Sequence, residues 1–262
     1  GTDPLLLVAA ALIALAPPLV IWLQQLKRSD LHNEKHSANS AAFDNIGGGA
    51  LAGFSEFLQS RYLLMIGLFI FFYTFIGSFA YFELKNLLVD YDGAARTQIW
   101  ASMDLVVNIF TVVVGAFATG RIAKHLSLPF TLASIPVLMF GGMLMLAVTP
   151  VVAVAVGVQI VRRIGNYAIS RPAREILFTA VDRETRFKAK PVIDIVIYRG
   201  GDMLNAWAFT ALTQGLGLGM AAVAVVGAGI AVLWATTGVY LGRQFNTIRS
   251  EEDAANSSPE VR

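Results

Sequence analysis

Apolar residues run through this chain in long blocks separated by short polar links. Seven blocks stand out, over 4–26, 62–82, 98–119, 129–148, 151–176, 192–212 and 219–241. A bilayer core of roughly 30 Å takes about 20 residues of α-helix, so each block is long enough to cross one. The pattern predicts an all-α, polytopic membrane protein with about seven transmembrane helices. Composition points the same way, with 56% of the 262 residues hydrophobic and a mean hydropathy of +0.62, above the usual range for a soluble domain.

The links alternate in charge. Segment 27–61 carries Lys27, Arg28, Lys35 and Arg61, the link at 120–128 carries Arg121, Lys124 and His125, and the link after the fifth block carries Arg183, Arg186, Lys188 and Lys190. Between them, 83–97 sets Lys85 and Arg96 against Glu83, Asp90 and Asp92, and both Thr149-Pro150 and 213–218 are uncharged. Basic links mark the cytoplasmic side. They predict a bacterial inner (plasma) membrane protein with its N-terminus outside and its C-terminal tail, with Arg243 and Arg249, in the cytoplasm. Within 27–61, Leu51, Phe54 and Leu58 recur at helical spacing beside Glu56 and Gln59, which predicts an interfacial amphipathic helix after a flexible linker.

Polar side chains at membrane depth are expensive and mark candidate sites. On the fifth block Gln159, Arg162, Arg163, Asn166 and Ser170 share one helical face. On the sixth, Asp194, Tyr198, Asp202 and Asn205 do so with Arg199 at the edge, and on the third Asp104, Asn108 and Thr111 form a narrower stripe. Two readings follow. The charges pair and fix helix packing, for example Arg162 or Arg163 with Asp104 or Asp202. Alternatively they line an aqueous cavity, where Arg162, Arg163 and Arg199, with Asn166 and Tyr198, bind an anion, and Asp104, Asn108, Asp194 and Asp202 serve as proton or salt-bridge partners. Arg171, Arg174, Lys188 and Lys190 act as a cytoplasmic gate or as anchors in anionic lipid.

Other signals are weaker. GLGLG at 215–219 and GAG at 227–229 sit in or beside an apolar block with no preceding strand, so close helix packing explains them better than a nucleotide loop. His32 and His36 lie in the polar linker without an HExxH order, which predicts no metal site. No serine, histidine and acid set is placed for hydrolysis, so no catalytic residues, enzymatic activity or cofactor are expected. The chain has no cysteine, and a net charge of +2 gives no footing for a nucleic-acid partner.

One helix, a long polar connection and a set of six resemble the middle of a twelve-helix transporter, and the motifs sharpen this. DRETRFKAKPVID, with Asp182, Glu184, Thr185, Lys188, Lys190, Ile193 and Asp194, resembles the link between the tenth and eleventh helices of the nucleotide (ATP/ADP) translocases. RPARE at Arg171, KAKxxID at Lys188, YRGGD at Tyr198, SRYLLMIGLF at Ser60 and YFE at Tyr81 resemble their free-living bacterial relatives, the NTP/NDP exchange transporters of major-facilitator type. GRIAKHLSLP at 120–129 is similar to the basic loop that major facilitators carry between helices eight and nine. The likeness covers most of 50–245. Two positions depart from it: Gln98 stands before Ile99-Trp100 where the translocases place a glutamate, and Asp202 lies near the place of their eleventh-helix lysine.

The resemblance implies helices 6–12 of a major-facilitator fold: a sixth helix at 1–26, a central linker at 27–61, a C-terminal six-helix half at 62–241 and a cytoplasmic tail at 242–262. The opening GTDP, without a methionine, suits a fragment, and Asp3 in place of a basic leader argues against a cleaved signal peptide. The implied function is secondary transport of a small anionic solute, nucleotides among the candidates. The implied partners are membrane lipid, that solute and an N-terminal transporter half. The rivals are a seven-helix receptor and a non-transporting sensor or scaffold with a transporter fold. A retinal receptor needs a lysine in its last helix, and 219–241 has none.

Overall fold

The structure, a computed structural model, describes residues 10–30 apart from 12, 52–117 and 127–257. Among these residues every regular element is a helix. The chain divides into two units, Gly1–Gly48 and Gly49–Arg262. In the first, helix α1 spans Ala16–Asp30. Pro17 and Pro18 occupy its first turn, where a missing N–H costs no ladder bond. The described apolar stretch Ile13–Leu23 is shorter than a bilayer span. The remainder of the predicted first block, the linker with His32 and His36, and the basic link with Arg121, Lys124 and His125 lie outside the described residues.

Among the described residues the second unit holds seven helices: α2 (Ala52–Gln59), α3 (Arg61–Leu87), α4 (Gly93–Phe117), α5 (Leu128–Val148), α6 (Val152–Ala180), α7 over 183–215, and α8 (Met220–Ser257). Helices α3, α4, α5 and α6, and Met220–Glu251 within α8, are long and apolar enough to cross a membrane. The chain is an all-α polytopic membrane protein. Helix α7 covers the sixth predicted block but is not among those five, because Asp194, Arg199 and Asp202 fall within one stretch of it.

The predicted basic link after the fifth block is not a loop. Only Val181 and Asp182 separate α6 from α7, and Arg183–Pro191 is already helical. Asp182 caps it, its carboxylate accepting a hydrogen bond from the Thr185 N–H at 2.9 Å. That backbone bond, first among several, holds the Asp182 carboxyl below the usual carboxylate range. A group whose pKa falls on folding stabilises above its unfolded value and loses that contribution as pH drops through the folded one. Asp182→Ala should therefore cost stability at pH 7, at the lower end of about 0.5–2 kcal/mol since the cap is exposed. In thermal melts the gap to wild type should close below about pH 4.

The helical ladder widens to π geometry at Asn166–Ser170, Val192–Ile197 and Ala211–Gly215. Pro172 lies just after the first and Pro191 just before the second. A proline offers no N–H and crowds the carbonyl four residues back, and a widened turn accommodates both.

Close helix packing, expected at both glycine motifs, is absent from GLGLG and present at one glycine of GAG. In GLGLG, Gly215, Gly217 and Gly219 meet nothing where a Cβ would be. Gly217 has φ +66°, and Leu218 N–H reaches back to the Leu212 carbonyl at 3.0 Å. This is a helix-terminating turn rather than a packing face. In GAG, Gly227 packs on Met143, while Gly229 is free of neighbours. Further along α8 the helix meets backbone atoms of α5, at Gly238 against Leu132 and Gly242 against Pro129. Trp234, one turn before Gly238, is fully buried, its ring against Phe69 and Tyr73 of α3.

The predicted amphipathic helix corresponds to α2. Its inner face is Phe57, packed on Gly67 of α3, while Phe54 and Leu58 stay exposed. Gly53 sits against the Lys188 backbone, and Thr185 Oγ1 donates to Glu56 at 3.3 Å. The helix is thus seated on α3 and on the first turns of α7, with a separate apolar face left outward.

Candidate functional site

A cavity of about 360 Å³ opens between α3, α6 and α7. Helix α3 supplies Tyr73, Thr74, Gly77, Ser78, Tyr81 and Phe82, α6 supplies Arg162, and α7 supplies Tyr198 and Asp202. Arg162 Nε donates to Gln159 Oε1 at 3.0 Å and Nη1 donates to the Tyr73 hydroxyl at 3.1 Å. The guanidinium lies 5.5 Å from the Tyr73 ring centroid and against Gly77, where a Cβ would come within 2.8 Å of Nη1. All these partners are neutral. Among the described residues Arg162 has no carboxylate within ion-pair distance, and the Asp202 carboxylate on the same cavity acts on it only at longer range.

Helix α7 reaches the cavity because its glycine and amide fit α3. Asn205 is fully buried and donates to Thr74 Oγ1 at 3.1 Å, and Thr74 in turn donates to the Phe71 carbonyl. Gly201 lies so close to Thr74 that a Cβ there would sit 2.6 Å from its hydroxyl. The second glycine of YRGGD is therefore a packing position, while Gly200 meets nothing. Tyr198 stacks edge-on against Tyr73 at 5.9 Å.

The predicted residues separate into groups. Arg162, Tyr198 and Asp202 meet in the cavity. Arg163 does not line it; its guanidinium is ion-paired with Asp104 of α4, one of the pairs anticipated from sequence. Asn108 lies exposed on α4, Arg199 is exposed on α7, and Asn166 is buried in the first π segment. None of these three lines the cavity.

A second charged layer lies beyond Tyr198, toward α2. Arg174 is buried, with its Nη2 3.7 Å from Asp194 Oδ1 and its guanidinium 5.8 Å from the Tyr198 ring. The separation is that of an ion pair without a hydrogen bond, and Arg174 Nε and Asp194 Oδ1 have no hydrogen-bond partner. Lys190 pairs with Glu175 and lies over Phe178. Both pairs join α6 to α7. Lys188 pairs with Glu184 inside α7, and Arg171 is exposed. Of the four residues named from sequence as gate or anchor, Arg174 and Lys190 thus join α6 to α7 through ion pairs, while Lys188 and Arg171 make no pair between these helices.

Asp194→Asn should loosen this layer. The chain lacks cysteine, so Ser170→Cys, at a buried position one turn from Arg174, gives a single maleimide target. Its labelling rate should rise several-fold with Asp194→Asn, matching roughly 1 kcal/mol of pair interaction. An unchanged rate would show that the pair does not hold the helices together.

The face of α3 was missed in sequence. Tyr73, Gly77 and Tyr81, with Thr74 and Ser78, recur every four residues in a block that reads as uniformly apolar. Counting tyrosine, serine and threonine as cavity residues would have found it. Compared with known protein families, curated proteins and solved structures, the chain matches none. The likeness to the nucleotide translocases therefore rests on the motifs quoted above.

Proposed function

We propose that the chain forms part of a major-facilitator-type secondary transporter that moves a small anionic solute, with nucleotides and phosphate the first candidates. The observation that carries this reading is Arg162: a guanidinium fixed by Tyr73 and Gln159 in a cavity, with the one carboxylate there, Asp202, beyond ion-pair distance. Arginine's planar fork suits phosphate or carboxylate oxygens, and an uncompensated cation in a low-dielectric site is favourable chiefly when an anion joins it. In this reading 62–241 is one six-helix half, and the N-terminal half closes the cavity from the other side. Substrate binds between the halves and is released by their rocking. The basic starts of α3, at Arg61, and of α7, at Arg183 to Lys190, face the cytoplasm of a bacterial inner membrane. The Arg174–Asp194 and Lys190–Glu175 pairs then close the cytoplasmic side, and Arg171 and Lys188 anchor in anionic lipid.

The test is uptake of labelled ATP, ADP and phosphate into lipid vesicles holding the full-length protein. Uptake of at least one above protein-free vesicles is expected. No uptake, with binding retained, would favour the sensor reading. Neither uptake nor binding of any of the three would overturn the anion site.

A further inference from the structure

We propose that Glu83 of α3 is a proton-binding site of the transport cycle. This inference rests on the transporter reading above but concerns a different residue and a different ligand.

Glu83 has no exposed surface, and neither Oε1 nor Oε2 has a hydrogen-bond partner. It is the only described carboxylate with both oxygens buried and unpartnered. Its neighbours on α3 are apolar and buried: Phe79 and Ala80 one turn before it, Leu84 after it. Leu84 belongs to a cluster with Met103, Leu146, Ala155 and Ala224, from α4, α5, α6 and α8.

The ionisable groups around this part of the bundle are engaged elsewhere. On α6, Arg162 is bonded to Tyr73 and Gln159, and Arg163 is paired with Asp104 of α4. On α7, Asp202 and Tyr198 line the cavity, Arg199 is exposed and Asp194 faces Arg174. On α3 itself, Tyr81 lines the cavity and Lys85 is exposed. On α8, 220–241 carries no charged side chain and its Tyr240 is exposed. None makes an ion pair with Glu83.

A bare carboxylate in such surroundings is strongly disfavoured, and the group escapes that cost by taking up a proton. The step is simple in balance: one proton from water joins the carboxylate to give the acid, and leaves it to water later, with no other bond changed. Two cavities lie close by. Phe82, the preceding residue, lines both the 360 Å³ cavity and a second of about 540 Å³ that reaches Lys85, Asn86, Thr213 and Gln214. Glu83 itself lines neither, so in this state it is closed off from both. When the helices rock, one cavity or the other supplies water to it, and a proton picked up on one side is released on the other. The proton's charge offsets that of the anion held by Arg162.

The test uses Glu83→Gln, which is neutral and nearly isosteric, and Glu83→Leu, which removes all polarity. In the purified full-length protein the infrared carbonyl band of a protonated, non-hydrogen-bonded acid should be present at neutral pH and absent from both variants. Dicyclohexylcarbodiimide should add to this position in wild type only. In vesicles, an acid-outside pH gradient should stimulate wild-type uptake of labelled ADP or phosphate at least tenfold over equal pH. Both variants should lose that stimulation and keep exchange at equal pH. Absence of the infrared band, or stimulation retained in Glu83→Gln, would overturn the proposal while leaving the anion site standing. A wild type that moves neither probe would remove the coupling role along with the transport reading, and the infrared band alone would then decide whether Glu83 holds a proton.

Discussion

Replacing Arg162 with glutamine should weaken binding of ATP, ADP or phosphate by about 10- to 100-fold and leave the protein as stable as before, or more so. A hydrogen bond to a charged group contributes roughly 1.5–3 kcal/mol, and each 1.4 kcal/mol is about tenfold in affinity. Stability should go the other way because Arg162 holds a cation among neutral partners. Removing a poorly compensated charge from the interior of a membrane protein relieves desolvation. Arg162→Lys keeps the charge but loses the fork, and should recover only part of the affinity. Arg163→Gln breaks the pair with Asp104 and should affect stability with little change in affinity. Isothermal titration alongside thermal melts in detergent separates the cases. A fall in melting temperature for Arg162→Gln with affinity unchanged would make Arg162 a packing residue and sink the anion site.

The contrast between Arg162 and Arg163 shows what sequence periodicity can and cannot resolve. Both arginines belong to one polar stripe, and their adjacency places them about 100° apart on α6. Which of them meets Asp104 and which meets Tyr73 depends on how α6 is rotated between α3 and α4. That rotation is set by contacts such as Gly142 against Val158 and Gly165 against Ile135, which involve residues distant in sequence. Helix positions, by contrast, were legible because lipid imposes long apolar runs: block 129–148 became Leu128–Val148 and 62–82 lies within Arg61–Leu87. The start of α7 was not. Its RETRFKAK sequence is polar all round and reads as a loop, yet α2 packs on it and Asp182 caps it. Glu83 was visible as a letter in YFE but not as a buried acid, since it falls just past the apolar block and reads as part of an extramembrane link.

Glycine chemistry on α8 yields the largest expected stability effect. An added Cβ at Gly242 would lie 2.4 Å from the Pro129 nitrogen and 2.5 Å from its Cα. Those are backbone atoms at the start of α5, where no rotamer change gives relief. Alanine here must push the two helices apart, and overpacking of this kind costs about 1–3 kcal/mol. Separation would also loosen Gly238 against Leu132 and Phe69, which lies one turn away, so valine should cost more than alanine. Gly229, on the same helix with nothing within 4 Å, is the matched control. Alanine there meets open space and gains helix propensity of up to about 1 kcal/mol. Thermal melts of Gly242→Ala and Gly229→Ala in one detergent should therefore move in opposite directions. Equal shifts would mean that the α5–α8 contact is looser than the structure has it, and that glycine on this helix acts through backbone freedom alone.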